Sequence, residues 1–332
     1  MTALTAANPA DELAPAPGDA PGIAPGIAPG TAARPWPIRA IVALGRSAFT
    51  RIILATVLVT GAMAGTQYLA RDLRMRQTDS FTFEAAAMHL IGAAAMVATV
   101  LVVYTLFVRC TERRAVSELG AAPAFREIPL GFLGGVMLAS TVVGTLALLG
   151  AYHVDAVAPR SAWFELLFRA AVSNLVVAVF EETVARGIIL RITQQRLGSR
   201  WALAISALIF GLAHMFNPNA TVLGALGLAL QAGVLLGAVY LLTQRLWLAI
   251  GVHWAWNFMQ QGVVGGALSG GETHAILTSH PAGPAWLSGG SFGIEGSIVA
   301  TVLCGSVGFA ILRYAAKRGT LIPRSWPMRV GA

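Results

Sequence analysis

Residues Asn174–Gly187 read NLVVAVFEETVARG, an apolar run broken by two adjacent carboxylates, Glu181 and Glu182, and by Arg186. Whether this is a surface helix or a membrane helix decides the fold, and the chain around it answers. Of the 332 residues, 56% are hydrophobic and 11% charged, where a soluble domain carries roughly a quarter charged residues. A chain this apolar cannot hide its surface from water by folding alone, so lipid must be the solvent for much of it.

Working outward from that stretch, apolar runs long enough to cross a bilayer are expected near 49–70, 86–108, 129–151, 162–190, 201–216, 221–242, 246–266 and 294–315. Each approaches the roughly 20 residues a bilayer core needs, the fifth being short. The fold class read from this is all-α, a polytopic transmembrane helical bundle of about eight spans. Residues 1–45, with PGIAPGIAPG at Pro21–Gly30, read as a disordered Pro/Gly/Ala-rich cytoplasmic tail and not as a secretory signal. Residues 46–160 read as the N-terminal transmembrane helices and 161–266 as a core that carries the polar residues. Residues 267–332 read as an outer loop, a last transmembrane helix and a basic cytoplasmic tail.

Basic residues orient the bundle. Arg34, Arg39, Arg46, Arg109, Arg113, Arg114, Arg126, Arg191, Arg196, Arg200, Arg245, Arg313, Lys317, Arg318, Arg324 and Arg329 fall on one side. Only Arg71, Arg74, Arg76 and Arg160 fall on the other. This bias expects both termini in the cytoplasm and the chain in the cell inner membrane. The same distribution removes the nucleic-acid reading that a net charge of +8 would otherwise invite, because the arginines punctuate the spans and form no groove-binding face. Cys110 and Cys304 belong to no metal-ligand spacing and are expected as free apolar packers. Gly233 and Gly237 form a small-xxx-small pair expected to pack two helices closely.

Ionisable groups inside a membrane helix are costly, so each calls for a reason. Glu182 and Arg186 lie four apart in the order that favours a helical ion pair. Glu181 points about 100° away around the helix and has no partner in the sequence. Glu165 and Arg169 repeat the four-residue spacing nearer the outer end, where a structural salt bridge is expected. Phe210 and His214 share one face of the fifth span, and His253 and Asn257 share one face of the seventh. Counting residues from the helix ends places Glu181, His214 and His253 at one level, in the inner half or middle of the bilayer. His89 is read as structural, and His153, His274 and His280 as solvated in outer loops.

The motifs Glu181-Glu182-x-x-x-Arg186, Phe210-x-x-x-His214 and His253-x-x-x-Asn257, in that order on membrane helices, resemble the CPBP family. That family contains the type II CAAX prenyl endopeptidases and the bacteriocin-processing and immunity-type membrane proteins, also called Abi. The resemblance covers residues 181–257 and implies an intramembrane endopeptidase acting on a membrane-associated or lipid-modified peptide or protein. It implies that Glu181 and His214 activate water and that His253 and Asn257 stabilise the oxyanion. Glu182, Arg186 and Phe210 would support them.

The chemistry of these residue types agrees. A carboxylate in a low-dielectric site is a better base, and a His with an Asn one turn away offers donors to a developing oxyanion. The same Glu181, His214 and His253 could instead be three zinc ligands, so the expected cofactor is either none or Zn²⁺. HExxH and the serine and aspartyl intramembrane motifs are absent from the sequence. The expected partners are a peptide or protein substrate and the bilayer, with no nucleic acid. A catalytically inactive scaffold or self-immunity protein of the same fold is the alternative, and a proton-coupled transporter a third reading.

Overall fold

The computed structural model describes residues 47–70 and 81–324. The expected N-terminal tail, the outer arginines Arg71, Arg74 and Arg76, and the C-terminal Arg329 lie outside the described residues. The helices are α1 Ala48–Leu69, α2 Phe83–Phe107, α3 Ala121–Leu148, α4 Arg160–Glu182, α5 Arg191–Ala213, α6 Val222–Thr243, α7 Trp247–Phe258, α8 Ala285–Ser288 and α9 Ile298–Lys317. Two short antiparallel ribbons join them: β1 Tyr152–Val157 with β4 Leu277–Pro281, and β2 Ala267–Leu268 with β3 Gly271–Glu272.

Side chains of Phe83 and Leu148 are each 91% exposed, and α1 to α3 carry many other bare Leu, Ile, Val and Phe residues. No soluble surface tolerates such a belt; it is the face a multi-pass membrane protein turns to acyl chains. By length and hydropathy six helical stretches among the described residues are able to cross a membrane. The count falls below eight for two reasons. The expected fourth and fifth spans are continuous in one stretch, Arg160–Phe216, and the polar α7 falls short on hydropathy although it packs deep in the bundle. Within the apolar window of α6, 61% of residues are buried, against 11% for α1. The sixth span is therefore the central post of the bundle, and the first is peripheral.

Two expected boundaries are corrected. The inner loop expected between 190 and 201 is helical, through a π turn at Thr183–Leu190 and on into α5, with a break only at Gly198 (φ 74°). A Cβ there would stand 2.7 Å from the Arg324 backbone nitrogen, so the positive φ and the close chain both require glycine. The third helix starts at Ala121, before the expected 129, and carries Pro129 within it. Glu127 reaches Arg245, which removes the charge that made this turn look like a loop.

Packing follows small residues. At Gly131 and Gly135 of α3, added Cβ atoms would meet the backbone of α7 at Leu248 and Val252, at 2.4 and 2.6 Å. Gly233 lies against the Ala207 backbone of α5 and Gly237 against the Leu203 side chain, the close packing that the small-xxx-small spacing predicted. Both cysteines are free, Cys304 buried and Cys110 exposed.

At the end of the bundle where α2 finishes, buried charge forms a closed knot. Glu112 accepts from Arg51 (2.5 Å), Arg114 (2.8 Å) and both terminal nitrogens of Arg191 (2.7 and 2.8 Å). Glu118 accepts a two-pronged Arg114 contact (2.8 and 2.7 Å) and the Tyr104 hydroxyl. Arg191, read from sequence as a loop arginine, is buried here.

Candidate active site

Each polar side chain of the core is placed by its helix and then fixed by a neighbour. Glu182 and Arg186 are fully buried and pair at 2.9 Å, as the four-residue spacing predicted. Arg186 also donates to the carbonyls of Ala232 (3.0 Å) and Gly233 (3.3 Å) in the π turn Ala229–Gly233 of α6. Its guanidinium lies 4.5 Å from the Phe210 ring centroid. An intramembrane arginine is thus compensated by a carboxylate, two carbonyls and an aromatic face.

That pair in turn holds a histidine. Glu182 Oε1 accepts from His253 Nδ1 at 2.8 Å, a link between α4 and α7 that sequence spacing could not show. His214, at the end of α5, directs Nδ1 to the Phe210 carbonyl at 2.8 Å. A carbonyl only accepts, and Glu182 is already paired to a cation, so both imidazoles carry the proton on Nδ1. With Nδ1 so engaged, each ring turns its Nε2 into the cavity.

Both Nε2 atoms face Glu181. Its Oε2 lies 3.9 Å from His214 Nε2 and 3.8 Å from His253 Nε2, and that oxygen is buried with no hydrogen-bond partner. The structure therefore brings Glu181, His214 and His253 around one point. Asn257, one turn beyond His253, lines the same cavity of about 230 Å³. Phe210 packs at a tilt against His214, with ring centroids 4.8 Å apart, and closes one wall.

The cavity runs from these residues to Asn217, Leu268, Ser269 and Glu295. It thus reaches further toward the end expected outside than an inner-half site would. Ser269 (φ 48°) and Gly270 (φ 83°) turn the β2–β3 hairpin as a type I′ turn. Asn217 and Asn219 clamp that turn by donating to the Ser269 and Gly270 carbonyls, each at 3.0 Å.

Sequence reading missed Asn174, Gln231, Trp256, Gln261, Ser269 and Glu295, all of which line the cavity. For Glu295 a signal existed: it is an acid at the mouth of the span expected at 294–315. The remaining histidines lie apart from the cavity. His89 contacts Phe168, and His153 pairs across the β1–β4 ribbon with His280, which binds Asp155 at 2.7 Å. Glu165 and Arg169 form the expected half-exposed pair at 2.7 Å.

Residues 162–259 match the family model described as Type II CAAX prenyl endopeptidase Rce1-like. The CPBP resemblance read from three motifs is thereby matched over α4 to α7. This Rce1-like stretch contains Glu181, Glu182, Arg186, Phe210, His214, His253 and Asn257, and ends before the hairpin and Glu295. Neither curated proteins nor solved structures gave a match.

Zinc, if bound, would draw on the same three side chains, Glu181, His214 and His253.

Proposed function

We propose that the protein is an intramembrane endopeptidase of the CAAX type that hydrolyses a peptide bond in a membrane-associated or lipid-modified peptide. The kind of activity follows from the Rce1-like match. The observation that carries the mechanism is the convergence of Glu181 Oε2, His214 Nε2 and His253 Nε2 on one point, with Glu181 Oε2 buried and without a hydrogen-bond partner. Separations of 3.8 and 3.9 Å from Glu181 Oε2 to the imidazole nitrogens exceed a direct hydrogen bond and suit a bridging water that donates one proton to Glu181 and one to His214.

Water held by Glu181 and His214 attacks the scissile carbonyl carbon, forming the new C–O bond as its proton passes to Glu181. The carbonyl oxygen becomes an oxyanion, with Asn257 donating from its amide. His253 donates from Nε2 when it carries both protons. Glu181, Glu182 and Arg186 sum to one negative charge, so a positive His253 brings the buried group to neutrality. Collapse breaks the C–N bond, and Glu181 returns the proton to the leaving nitrogen. No step passes through a metal.

The bundle is proposed to lie in the cell inner membrane with both termini cytoplasmic, on the arginine bias. The test is cleavage of a farnesylated peptide and its unmodified twin by the purified chain in liposomes, followed by mass spectrometry. One new C-terminus is expected, at an equal rate with and without a strong chelator. No cleavage of either peptide ends the proposal, and loss of cleavage on chelation ends its metal-free form.

A further inference from the structure

Glu295 is 2% exposed and belongs to none of the salt bridges among the described residues. Its carboxylate accepts from Trp256 Nε1 (2.9 Å), Gln260 Nε2 (3.3 Å) and the Ser269 hydroxyl. Three neutral donors soften the cost of a buried carboxylate but supply no opposite charge. One turn of α6 faces it. Gln231, 1% exposed, donates from Nε2 to the Glu295 carbonyl at 2.9 Å. That bond fixes the orientation of the amide and leaves Gln231 Oε1 buried in the cavity wall with no donor.

At this end of the cavity, then, the Trp256, Gln260 and Ser269 donors are spent on the carboxylate, while acceptor capacity remains on Gln231 and Glu295. No lysine or arginine lines the cavity. We propose that Glu295 and Gln231 form a subsite that receives a cationic group, an ammonium or guanidinium, of the bound peptide. Such a group supplies both missing features, a positive charge for Glu295 and an N–H for Gln231 Oε1. A peptide carboxylate would meet repulsion there, so the subsite orients a substrate by a basic side chain.

The inference rests on the peptidase reading, and its test is kept separate from turnover. Binding is measured by calorimetry in detergent micelles with the full chain carrying Glu181→Gln, so that neither cleavage nor the Glu181 charge contributes. The probes are acetyl-Ala-Ala-Lys-Ala-Ala-amide and the same peptide with norleucine for lysine. The lysine peptide is expected to bind about tenfold tighter or better, and adding Glu295→Gln should erase the difference. Adding Gln231→Met, which keeps the volume and removes the acceptor, should reduce it about threefold even if Glu295→Gln proves too unstable to measure. Equal affinity for the two peptides, no binding of either, or a preference that survives both substitutions overturns the proposal. Failure of the peptidase reading shows separately, as no cleavage of the farnesylated or unmodified peptide by the parent chain in liposomes.

Discussion

Two clusters of buried charge among the described residues are built to opposite plans. In the knot of Arg51, Tyr104, Glu112, Arg114, Glu118 and Arg191, all four carboxylate oxygens have donors, two of the contacts being bidentate. Around Glu181 the plan is reversed. Glu182 and Arg186 pair, but Glu181 Oε2 and Glu182 Oε2 are left without partners, and two imidazole nitrogens point at the former. A saturated network rigidifies, whereas unsatisfied acceptors in low dielectric store a demand for a proton-bearing ligand. Charge that ties helices together is closed, and the charge proposed to do chemistry is left open on one side.

The contrast breaks first at Arg186. Arg186→Ala leaves Glu182 buried without a cation, at a cost of about 3–5 kcal/mol. The purified chain should aggregate in detergent or lose several degrees of thermal stability. If it is as stable as the parent, the pair is not what compensates the buried acid. Asn257→Ala comes next. It should lower kcat by about 10²–10³-fold, the cost of one oxyanion donor, with thermal stability near that of the parent. A change confined to KM would instead make Asn257 a binding residue.

The smallest effect belongs to the knot. Burial alone would raise the Glu118 carboxyl, but the hydrogen bonds from Arg114 and Tyr104 outweigh it and hold the group below its ordinary value. A depressed carboxyl stabilises the fold above its unfolded pKa, and that stability drains away as pH falls through the lower folded value. Tyr104→Phe removes one donor, so it should cost about 1 kcal/mol at neutral pH and move acid unfolding to higher pH. Thermal unfolding followed at stepped pH reads both. An acid transition unmoved by the substitution would remove Glu118 from the account.

Much of this was legible in the sequence because lipid makes every ionisable residue conspicuous. The Glu182–Arg186 pair needed only the helical repeat, and His214 and His253 stood out as polar residues on apolar faces. The tertiary bonds were not legible. No spacing along the chain announces that Glu182 holds His253 or that the Arg186 guanidinium faces α6, since helical order alone does not fix which helices touch. The β2–β3 hairpin was invisible for another reason. Its strands are two residues long, held by Asn217, Asn219 and Glu295 more than by pattern. The missed continuity through 191–197 arose because Arg191 and Arg196 look like loop residues until Arg191 is seen in the knot.

The most direct test of the open-site claim is isotopic. The parent and the Glu181→Gln chain are incubated with a lipid-anchored peptide in H₂¹⁸O, and the products are weighed. The account predicts one ¹⁸O in the new carboxyl group of the parent's product and about 10³-fold slower label uptake with Glu181→Gln, while the chain remains folded. Equal label uptake by the two chains would contradict it.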